Sequence, residues 1–245
     1  MADSLDAYKS YIECQIESAE KDAAESGKAA ADRAFITVSR ETGAGGITIG
    51  KKLEDYLNEH NRKGSCPWTV FDRNLIDLVL KEHNLSEEIE KFMPEKKKSE
   101  VEDIVETLFD LHPPEFALVR RTSETILHLA QMGHAIIVGR GANVITRKLK
   151  AGIHVRLISS KETKIRHIEE YFELSRDDAE KKVEAEDRGR RDYMRQNFGK
   201  DISDPLLYDL VINTDSVPYD AVAKIIGDAA LNKCERLHKG APEAR

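Results

Sequence analysis

The chain has 245 residues, of which 40% are hydrophobic and 34% charged, a balance typical of a globular protein with much surface helix. Its formal net charge of −7 argues against a general nucleic-acid binder, because such proteins are usually basic. The first ten residues are polar and acidic, unlike a signal peptide, and no apolar run approaches the length of a membrane span. We therefore expect a cytoplasmic protein that binds neither nucleic acid nor membranes.

The three cysteines are Cys14, Cys66 and Cys234, and they lie far apart in the sequence. They form no CxxC or Cys/His pattern, which makes a structural zinc site an unfavourable interpretation. Their odd number and wide spacing predict free thiols in a reducing compartment.

Residues 4–33 contain no proline and are rich in alanine and charged residues. Apolar side chains recur there at helical spacing, beginning with Leu5, Tyr8, Ile12 and Ile16. This pattern predicts a helix outside the core, docked by one narrow face. We interpret it as a packing helix or as the contact of a homodimer, and a helix dedicated to another partner is the alternative.

Five short apolar runs follow, separated by helical stretches. They are Phe35–Val38, Thr69–Phe71, Ala135–Val138, His154–Ile158 and Leu210–Ile212. This alternation is typical of β-α-β units and predicts an α/β fold, with a parallel sheet between two layers of helices. Ligands bind at the carboxyl ends of the strands in such sheets, so residues that directly follow the strands are the candidates for chemistry.

The first of these strands leads into a glycine-rich turn containing Gly43, Gly45 and Gly46, and then into a helix-like run. Strand, glycine loop and helix is the order of a P-loop, in which backbone N–H groups converge on a phosphate at a helix N-terminus. The usual pattern, G-x-x-x-x-G-K-[ST], has a lysine after the last loop glycine, and this chain has Gly46 instead. Either another cation serves the phosphates, or the loop is a relic.

A highly charged helix is predicted to begin near Ser175, a candidate N-cap with Asp178 three residues further on. It carries Arg188, Arg191 and Arg195 at positions i, i+3 and i+7, which puts them on one helical face. Such a face either meets phosphates or pairs with neighbouring acids of the same helix. Those acids are Glu184, Glu186 and Asp187.

Four segments together resemble the cytidylate kinase-like family, a divergent branch of the P-loop nucleoside monophosphate kinases. They are SRETGAGGITIGKKL (39–53), VFDRNLI (70–76), IIVGRGANVI (136–145) and the stretch from AEDRGRRDYMRQNFGKD (185–201) into YDLVINTDSV (208–217). The resemblance implies a three-layer αβα P-loop kinase fold with a monophosphate-binding insertion and a helical lid. It also implies a nucleoside monophosphate kinase that uses ATP as phosphoryl donor and Mg²⁺ as cofactor, with nucleotides as its partners.

On this resemblance the chain divides into an N-terminal helical extension (1–34), a kinase-like domain (35–232) and a flexible tail (233–245). Within the domain, the insertion spans about residues 73–121 and the lid about residues 173–204. Substrate choice is expected to depend on the insertion.

The resemblance implies that the glycine loop binds the ATP phosphates. The loop residues are Thr42, Gly43, Ala44, Gly45, Gly46, Ile47 and Thr48. Thr48 falls on the threonine near the metal and is the candidate Mg²⁺ ligand, whereas Gly46 falls on the lysine of the motif. Arg40, which directly follows the first strand, is our first candidate for the substitute cation, ahead of the lysines in the next helix. The alternative is that Arg40 pairs with Glu41 or another acid at the surface.

Three further residues are implied in acceptor binding: Asp72, Arg73 and Arg140. Arg140 matches the arginine that holds the acceptor phosphate, for which a planar guanidinium is well suited. Asp72 matches an aspartate that orients metal-bound water or a substrate hydroxyl, although it would serve equally as a helix N-cap. Gly141 and Gly189 replace acids of the family, so the resemblance does not establish CMP as the acceptor.

Arg188, Arg191 and Arg195 match lid arginines, and with Arg40 they form the predicted catalytic set. The leading hypothesis is an ATP-dependent phosphotransferase acting on a nucleoside monophosphate or a related acceptor. Loss of the P-loop lysine and of two acids leaves a catalytically impaired, nucleotide-binding regulatory module as the alternative. A kinase for a non-nucleotide acceptor is a third possibility.

Overall fold

A computed structural model describes residues 8–18, 21, 33–61, 65–72, 76, 95–109 and 116–238. Its strands are β1 (Phe35–Arg40), β2 (Thr69–Phe71), β3 (Ala135–Val138), β4 (Gly152–Ile158) and β5 (Leu210–Asn213). Its helices are α1 (8–18), α2 (Gly46–Glu59), α3 (Glu95–Phe109), α4 (Ala117–Met132), α5 (Ala142–Ile145), α6 (Lys161–Phe172), α7 (Arg176–Phe198) and α8 (Tyr219–His238). A short 3₁₀ turn, Pro205–Leu207, precedes β5.

The strands form one parallel sheet in the order β2-β3-β1-β4-β5. β1 lies in the middle, with Ile36 paired to Ile136 of β3 on one side and to Ile153 of β4 on the other. The chain leaves β1 toward β2 and leaves β3 toward β4, so the connections from these two neighbouring strands run in opposite directions. A crevice for ligands is expected at such a switch point, outside the carboxyl ends of these two strands.

Alternate residues of β1 enter two separate hydrophobic clusters, because successive side chains of a strand point to opposite faces. Phe35 packs with residues of α1, α3 and α4, whereas Ile36 and Val38 pack with residues of α2 and α8. The predicted α/β class and its three layers are therefore confirmed. The predicted Phe35–Val38 strand extends two residues further, which makes Arg40 its last residue.

α1 belongs to the core, so the prediction that this helix lies outside it was wrong. Tyr8 and Tyr11 are fully buried, and their rings contact the ring of Phe71 edge-to-face at centroid distances of 5.9 and 5.1 Å. The hydroxyl of Tyr11 donates a hydrogen bond to the carbonyl of Gly133 at 2.6 Å. Two large aromatic side chains bury enough surface to make the helix part of the fold.

The prediction that all three cysteines are free thiols was also wrong. Cys14 of α1 and Cys66, just before β2, form a disulfide with a Cα–Cα distance of 5.7 Å, although 52 residues separate them in sequence. Docking of α1 beside β2 brings them together, which spacing along the chain does not reveal. Cys234, in α8, is half-buried and is not part of this disulfide.

The last helix, α8, continues to His238, so the predicted start of the tail at residue 233 is too early. Lys233 is held in place because its ammonium group donates a hydrogen bond to the carbonyl of Gly152 at 2.5 Å. Of the predicted insertion, the structure describes 76, α3 and the start of α4, and the rest lies outside the described residues. No described helix is long and apolar enough to cross a membrane.

Candidate functional site

A cavity of about 460 Å³ opens at the carboxyl ends of β1 and β3. One wall is formed by residues 37–40 of β1, a second by the turn 139–143 after β3, and a third by one face of α7. Each wall contributes an arginine, namely Arg40, Arg140 and Arg190. Three guanidinium groups around one cavity form a site suited to a multiply charged oxyanion.

Arg40 occupies the space above Gly46, where the P-loop lysine would begin. A Cβ atom placed on Gly46 would lie 2.7 Å from Cγ and 3.2 Å from Cβ of Arg40. A Cβ atom on Gly139, across the cavity, would overlap Nη1 of Arg40. The stem of Arg40 therefore crosses one glycine and its guanidinium lies against the other, which gives a steric reason why both positions are glycine.

Arg40 is a cation largely shielded from water. Burial lowers its pKa to about 10, the charges of Arg190 and Arg140 add to this effect, and the carboxylates of Asp72 and Glu186 oppose it. At neutral pH the guanidinium is still charged. Because like charges in a poorly solvated space repel one another, binding of an anion in the cavity is electrostatically favourable.

Arg140 lies in an unusual turn. Gly139, Arg140 and Gly141 all have positive φ values, of 90°, 55° and 72°. Left-handed backbone is costly for a residue with a side chain, on the order of 1 kcal/mol, and such conformations cluster at functional sites. The turn places Arg140 at the cavity wall after β3.

Neighbouring helices pack tightly against the glycine loop. Gly43 and Gly45 both have φ values of 77°, the left-handed region that favours glycine. A Cβ atom on Gly43 would lie 2.6 Å from the carbonyl oxygen of Lys164 in α6, and one on Gly45 would overlap the ring of Tyr219 in α8. The loop keeps the glycine conformations of a phosphate-binding turn, but in this structure the protein itself covers it.

A carboxylate of α7 binds the loop directly. Asp187 is only 8% exposed, and its Oδ1 accepts hydrogen bonds from the backbone N–H of Thr42 at 2.7 Å and from the hydroxyl of Thr42 at 2.8 Å. Lys164 donates to Asp187 at 3.0 Å and to Glu41 at 3.1 Å, and Arg190 donates to Thr42 and Asp187. Although burial opposes it, hydrogen bonds from Thr42 and Lys164 hold the pKa of Asp187 below its ordinary value. The backbone N–H of Thr42, a predicted phosphate-binding donor of the loop, is therefore already hydrogen-bonded to a carboxylate of the protein itself.

The predicted ATP-binding residues differ in their surroundings. Thr42, Ala44 and Gly46 are buried, whereas Ile47 and Thr48 are exposed on the first turn of α2. Thr48, the predicted Mg²⁺ ligand, is therefore open to solvent. Among the residues that the structure describes, no three carboxylate, histidine or cysteine side chains come together in a group that could hold a metal ion.

Of the predicted acceptor-binding residues, Arg140 lines the cavity, and Asp72 is half-buried at the end of β2, near enough to influence Arg40. The carbonyl of Asp72 accepts a hydrogen bond from the amide of Ile76 at 3.0 Å, as at the start of a helical turn. Arg73 lies outside the described residues.

The structure does not bring the three predicted lid arginines to the cavity. Arg188, Arg191 and Arg195 are exposed, and the arginine of α7 that lines the cavity is Arg190. Ser175 is confirmed as the N-cap of this helix, and its hydroxyl accepts a hydrogen bond from the amide of Asp178.

Sequence reasoning gave no role to Arg190, although a signal was available. Ala179, Val183 and Met194 are buried, and they define the inward stripe of α7. Arg190 follows Val183 by seven residues and precedes Met194 by four, so it falls on that stripe. The apolar residues of the helix, rather than the spacing of its arginines, indicate which face is turned inward.

The position of Gly141 also differs from the family pattern. A Cβ atom there would lie 2.5 Å from Cε2 of Phe198, and the residue has positive φ. The ring of Phe198 thus fills the space into which an aspartate side chain would extend.

The parallel sheet in this order, with a glycine loop after its central strand, defines an α/β protein with a P-loop kinase-like fold. The model of the cytidylate kinase-like family matches residues 35–216, and the chain belongs to that family. The comparison with curated proteins found no match.

Among solved structures, an uncharacterized protein from Eubacterium ventriosum is similar, with 20% identity and a TM-score of 0.63, over 82% of this chain and 99% of that chain. A shikimate kinase from Bacteroides thetaiotaomicron matches with 13% identity and a TM-score of 0.40, over 84% of this chain and 98% of that chain. At such identities the likeness to the Eubacterium ventriosum protein shows the fold alone.

Proposed function

We propose that this protein is an ATP-dependent phosphotransferase that transfers the γ-phosphoryl group to a nucleoside monophosphate or a related phosphorylated acceptor. The observation that carries the proposal is the position of Arg40. Its stem crosses Gly46 and its guanidinium lies in a cavity with two further arginines. A cation from the end of β1 would thereby replace the missing lysine, so the altered motif is compatible with activity.

The chemistry matches this set of residues. Phosphoryl transfer requires little covalent help from the protein and depends mainly on positioning and on neutralising charge. In the proposal the glycine loop binds the donor phosphates, Arg40 contacts the transferring group, and Arg140 holds the acceptor phosphate. Arg190 supplies a third cation from α7, and closure over the substrates would exclude water.

Mg²⁺ is the proposed metal, as in phosphoryl transfer generally. It binds proteins through one or two oxygen ligands, and substrate phosphates and water supply the rest. The hydroxyl of Thr48 and the carboxylate of Asp72 are the oxygen donors of this chain that would hold it. When bound, the metal neutralises charge on the phosphates.

The test is a coupled ADP-release assay with ATP and Mg²⁺ across CMP, dCMP, UMP, AMP and GMP, beside calorimetric titration of ATP. Turnover with one acceptor would establish the kinase, and Arg40→Ala is expected to reduce it by about 10²-fold or more, as for other phosphate-stabilising arginines. Arg176→Ala is the matched control, because Arg176 is an exposed arginine of α7 paired with Glu162 at 2.6 Å. Equal loss in both variants would contradict the proposal.

One observation favours a nucleotide-binding module without turnover, namely the hydrogen bonds from Thr42 to Asp187. If Asp187 blocks the donor phosphates permanently, ATP binding is weak or unproductive. Arg190→Ala separates the two functions, because the enzyme interpretation predicts loss of rate with nearly unchanged ATP binding. The double change Arg191→Ala with Arg195→Ala, on the exposed face of α7, is the comparison variant. If turnover survives that change and fails in Arg190→Ala, the catalytic cation of α7 is Arg190.

A further inference from the structure

The carboxylate of Asp187 is held by donors of the kinds that also bind phosphates. Thr42 of the glycine loop donates to its Oδ1 from the backbone N–H at 2.7 Å and from the hydroxyl at 2.8 Å. The ammonium group of Lys164 donates to the other oxygen at 3.0 Å, and Arg190 donates to Oδ1 at 3.2 Å. Loop amides, hydroxyls, ammonium groups and guanidinium groups are the donors with which proteins bind phosphate oxygens. Asp187 is therefore an anion of the protein itself in a set of donors suited to a phosphate.

The two cations that hold Asp187 each have a second carboxylate partner. Lys164 pairs with Glu41 at 3.1 Å, and Arg190 pairs with Glu186 at 3.1 Å. A largely buried cation that loses its last partner costs several kcal/mol, which would make Asp187 hard to remove. Because both cations keep a partner when Asp187 leaves, its departure is less costly than the loss of an ordinary buried ion pair.

Asp187 belongs to a pair of helices with a hydrophobic cluster of their own. The cluster that α6 shares with the first half of α7 is separate from the two clusters on the faces of the sheet. Its members are Ile165, Ile168, Ala179 and Val183. Polar groups join this pair of helices to the glycine loop, among them Nδ1 of His167, which lies 2.8 Å from the carbonyl oxygen of Gly43. The oxygens of a ligand can take over hydrogen bonds of this kind but not apolar contacts, so the polar contacts are the ones able to exchange.

We propose that Asp187 makes an autoinhibitory contact, in which its carboxylate occupies the glycine loop until a phosphate group of the donor nucleotide displaces it. The hydrogen bonds of Thr42 and Lys164 then pass from the carboxylate to the phosphate, and Asp187 withdraws from the loop with α6 and α7. Identifying the phosphate as that of the donor rests on the proposed function, whereas competition between carboxylate and phosphate requires no turnover. The free energy needed to release Asp187 is subtracted from that of binding, so the wild-type protein binds phosphates more weakly than the open loop would.

The decisive variant is Asp187→Ala, which removes the competing carboxylate. The probes are ATP and inorganic tripolyphosphate, each titrated calorimetrically without an acceptor. Both should bind about 10–100-fold more tightly than to the wild-type protein, because the ligand no longer has to break hydrogen bonds to a charged group. Without ligand, the midpoint of thermal unfolding should fall by about 2–6 °C, since Thr42 and Lys164 lose a buried partner. A purely structural aspartate would also lower stability when removed, but it would leave the affinity unchanged or weaker.

The matched control is Glu184→Ala. Glu184 precedes Asp187 by three residues in α7, and it pairs with Lys161 of α6 at 3.0 Å. The two substitutions change the net charge by the same amount, and Glu184 is exposed to solvent. This variant should keep the wild-type affinity for both probes within about twofold.

A second variant, Asp187→Asn, keeps the volume and an acceptor for the amide of Thr42, so it also tests the inference if Asp187→Ala does not fold. Its hydrogen bonds with Lys164 and Arg190 lose the assistance of the negative charge. Because charge-assisted hydrogen bonds are about twice as strong as neutral ones, we expect a smaller gain in affinity, about three- to tenfold.

Four results would overturn the inference: unchanged or lower affinity of the Asp187 variants for tripolyphosphate, an equal gain in Glu184→Ala, an unfolding midpoint of Asp187→Ala at or above that of wild type, or binding of neither probe by any of these proteins. Binding of both probes by Asp187→Ala and of neither by the wild type would support it. The proposed function fails separately, by absence of ADP release with every acceptor. A gain in affinity without ADP release leaves the autoinhibitory contact standing without the kinase, and ADP release without a gain in affinity removes the autoinhibitory contact alone.

Discussion

Replacing Gly46 with lysine would restore the usual P-loop sequence, yet we expect it to harm this protein. The new Cβ would lie 2.7 Å from Cγ of Arg40, a distance that carbon atoms do not tolerate. Arg40 is confined on its other side by Gly139, so its side chain has little room to move. Either the first turn of α2 shifts, or Arg40 leaves the cavity.

Overpacking of a buried site typically costs about 1–3 kcal/mol, and we expect Gly46→Lys to lose stability in this range. Turnover should fall as well, because the lysine arrives only by displacing the cation already present. In the double variant Arg40→Ala with Gly46→Lys the clash is gone and the lysine can take the place of the arginine. We expect a favourable coupling of about 0.5–3 kcal/mol between the two substitutions.

The measurements are urea unfolding and ADP release for wild type, both single variants and the double variant. Arg40→Ala alone should lose turnover, and the double variant should exceed both single variants in rate. A Gly46→Lys protein that is as stable as wild type and faster would refute the steric argument. It would show that Arg40 does not occupy the lysine position in solution.

Three further predictions follow from buried or linked groups. Arg190→Ala should lower turnover by about 10²-fold, because the cavity loses one of its three cations. His154 should make folding pH-dependent, because burial lowers its pKa from 6.5 to about 4. Below pH 6.5 the unfolded chain takes up a proton at this residue more readily than the folded protein, so the free energy of unfolding should fall by about 2 kcal/mol between pH 7 and pH 5, measured by urea unfolding. Reduction of the Cys14–Cys66 disulfide should cost about 2–4 kcal/mol, because the 52-residue separation leaves a long loop unconstrained.

Each of these predictions has a control. Arg190→Lys keeps the charge without the planar guanidinium and should recover only part of the rate. Turnover within twofold of wild type in Arg190→Ala would contradict the assignment of Arg190 as a catalytic cation. His154→Gln should remove most of the pH dependence, and an unchanged pH profile would show that another group causes it. Cys14→Ser should be insensitive to reductant, and three reactive thiols in the denatured, unreduced wild type would exclude the disulfide.

The local parts of the fold could be predicted from the sequence. Strands such as Thr69–Phe71 and Ala135–Val138 are short apolar runs between helical stretches, and fully buried strands of a parallel sheet require such runs. The glycine loop can be recognised in the sequence because glycine adopts its positive φ angles without steric cost. These features depend on residues adjacent in the sequence. The family, and the position of the candidate site at the carboxyl ends of the strands, could therefore both be predicted.

The direction of each side chain could not be predicted in this way. The spacing of Arg188, Arg191 and Arg195 places them on one face of α7, but only packing against the rest of the protein determines that Arg190 faces the cavity. Similarly, the sequence makes Arg40 a candidate cation, and only the structure places its stem over Gly46.

The sequence by itself determined the order of strands and helices, the glycine loop and the resemblance to the family, since each arises from local composition and backbone preference. The tertiary structure decided which residues meet across the chain, namely Cys14 with Cys66 and Asp187 with the amide of Thr42. These contacts join residues far apart in sequence or depend on how a helix is rotated about its axis. Both are determined by the packing of the whole chain, which no local pattern records.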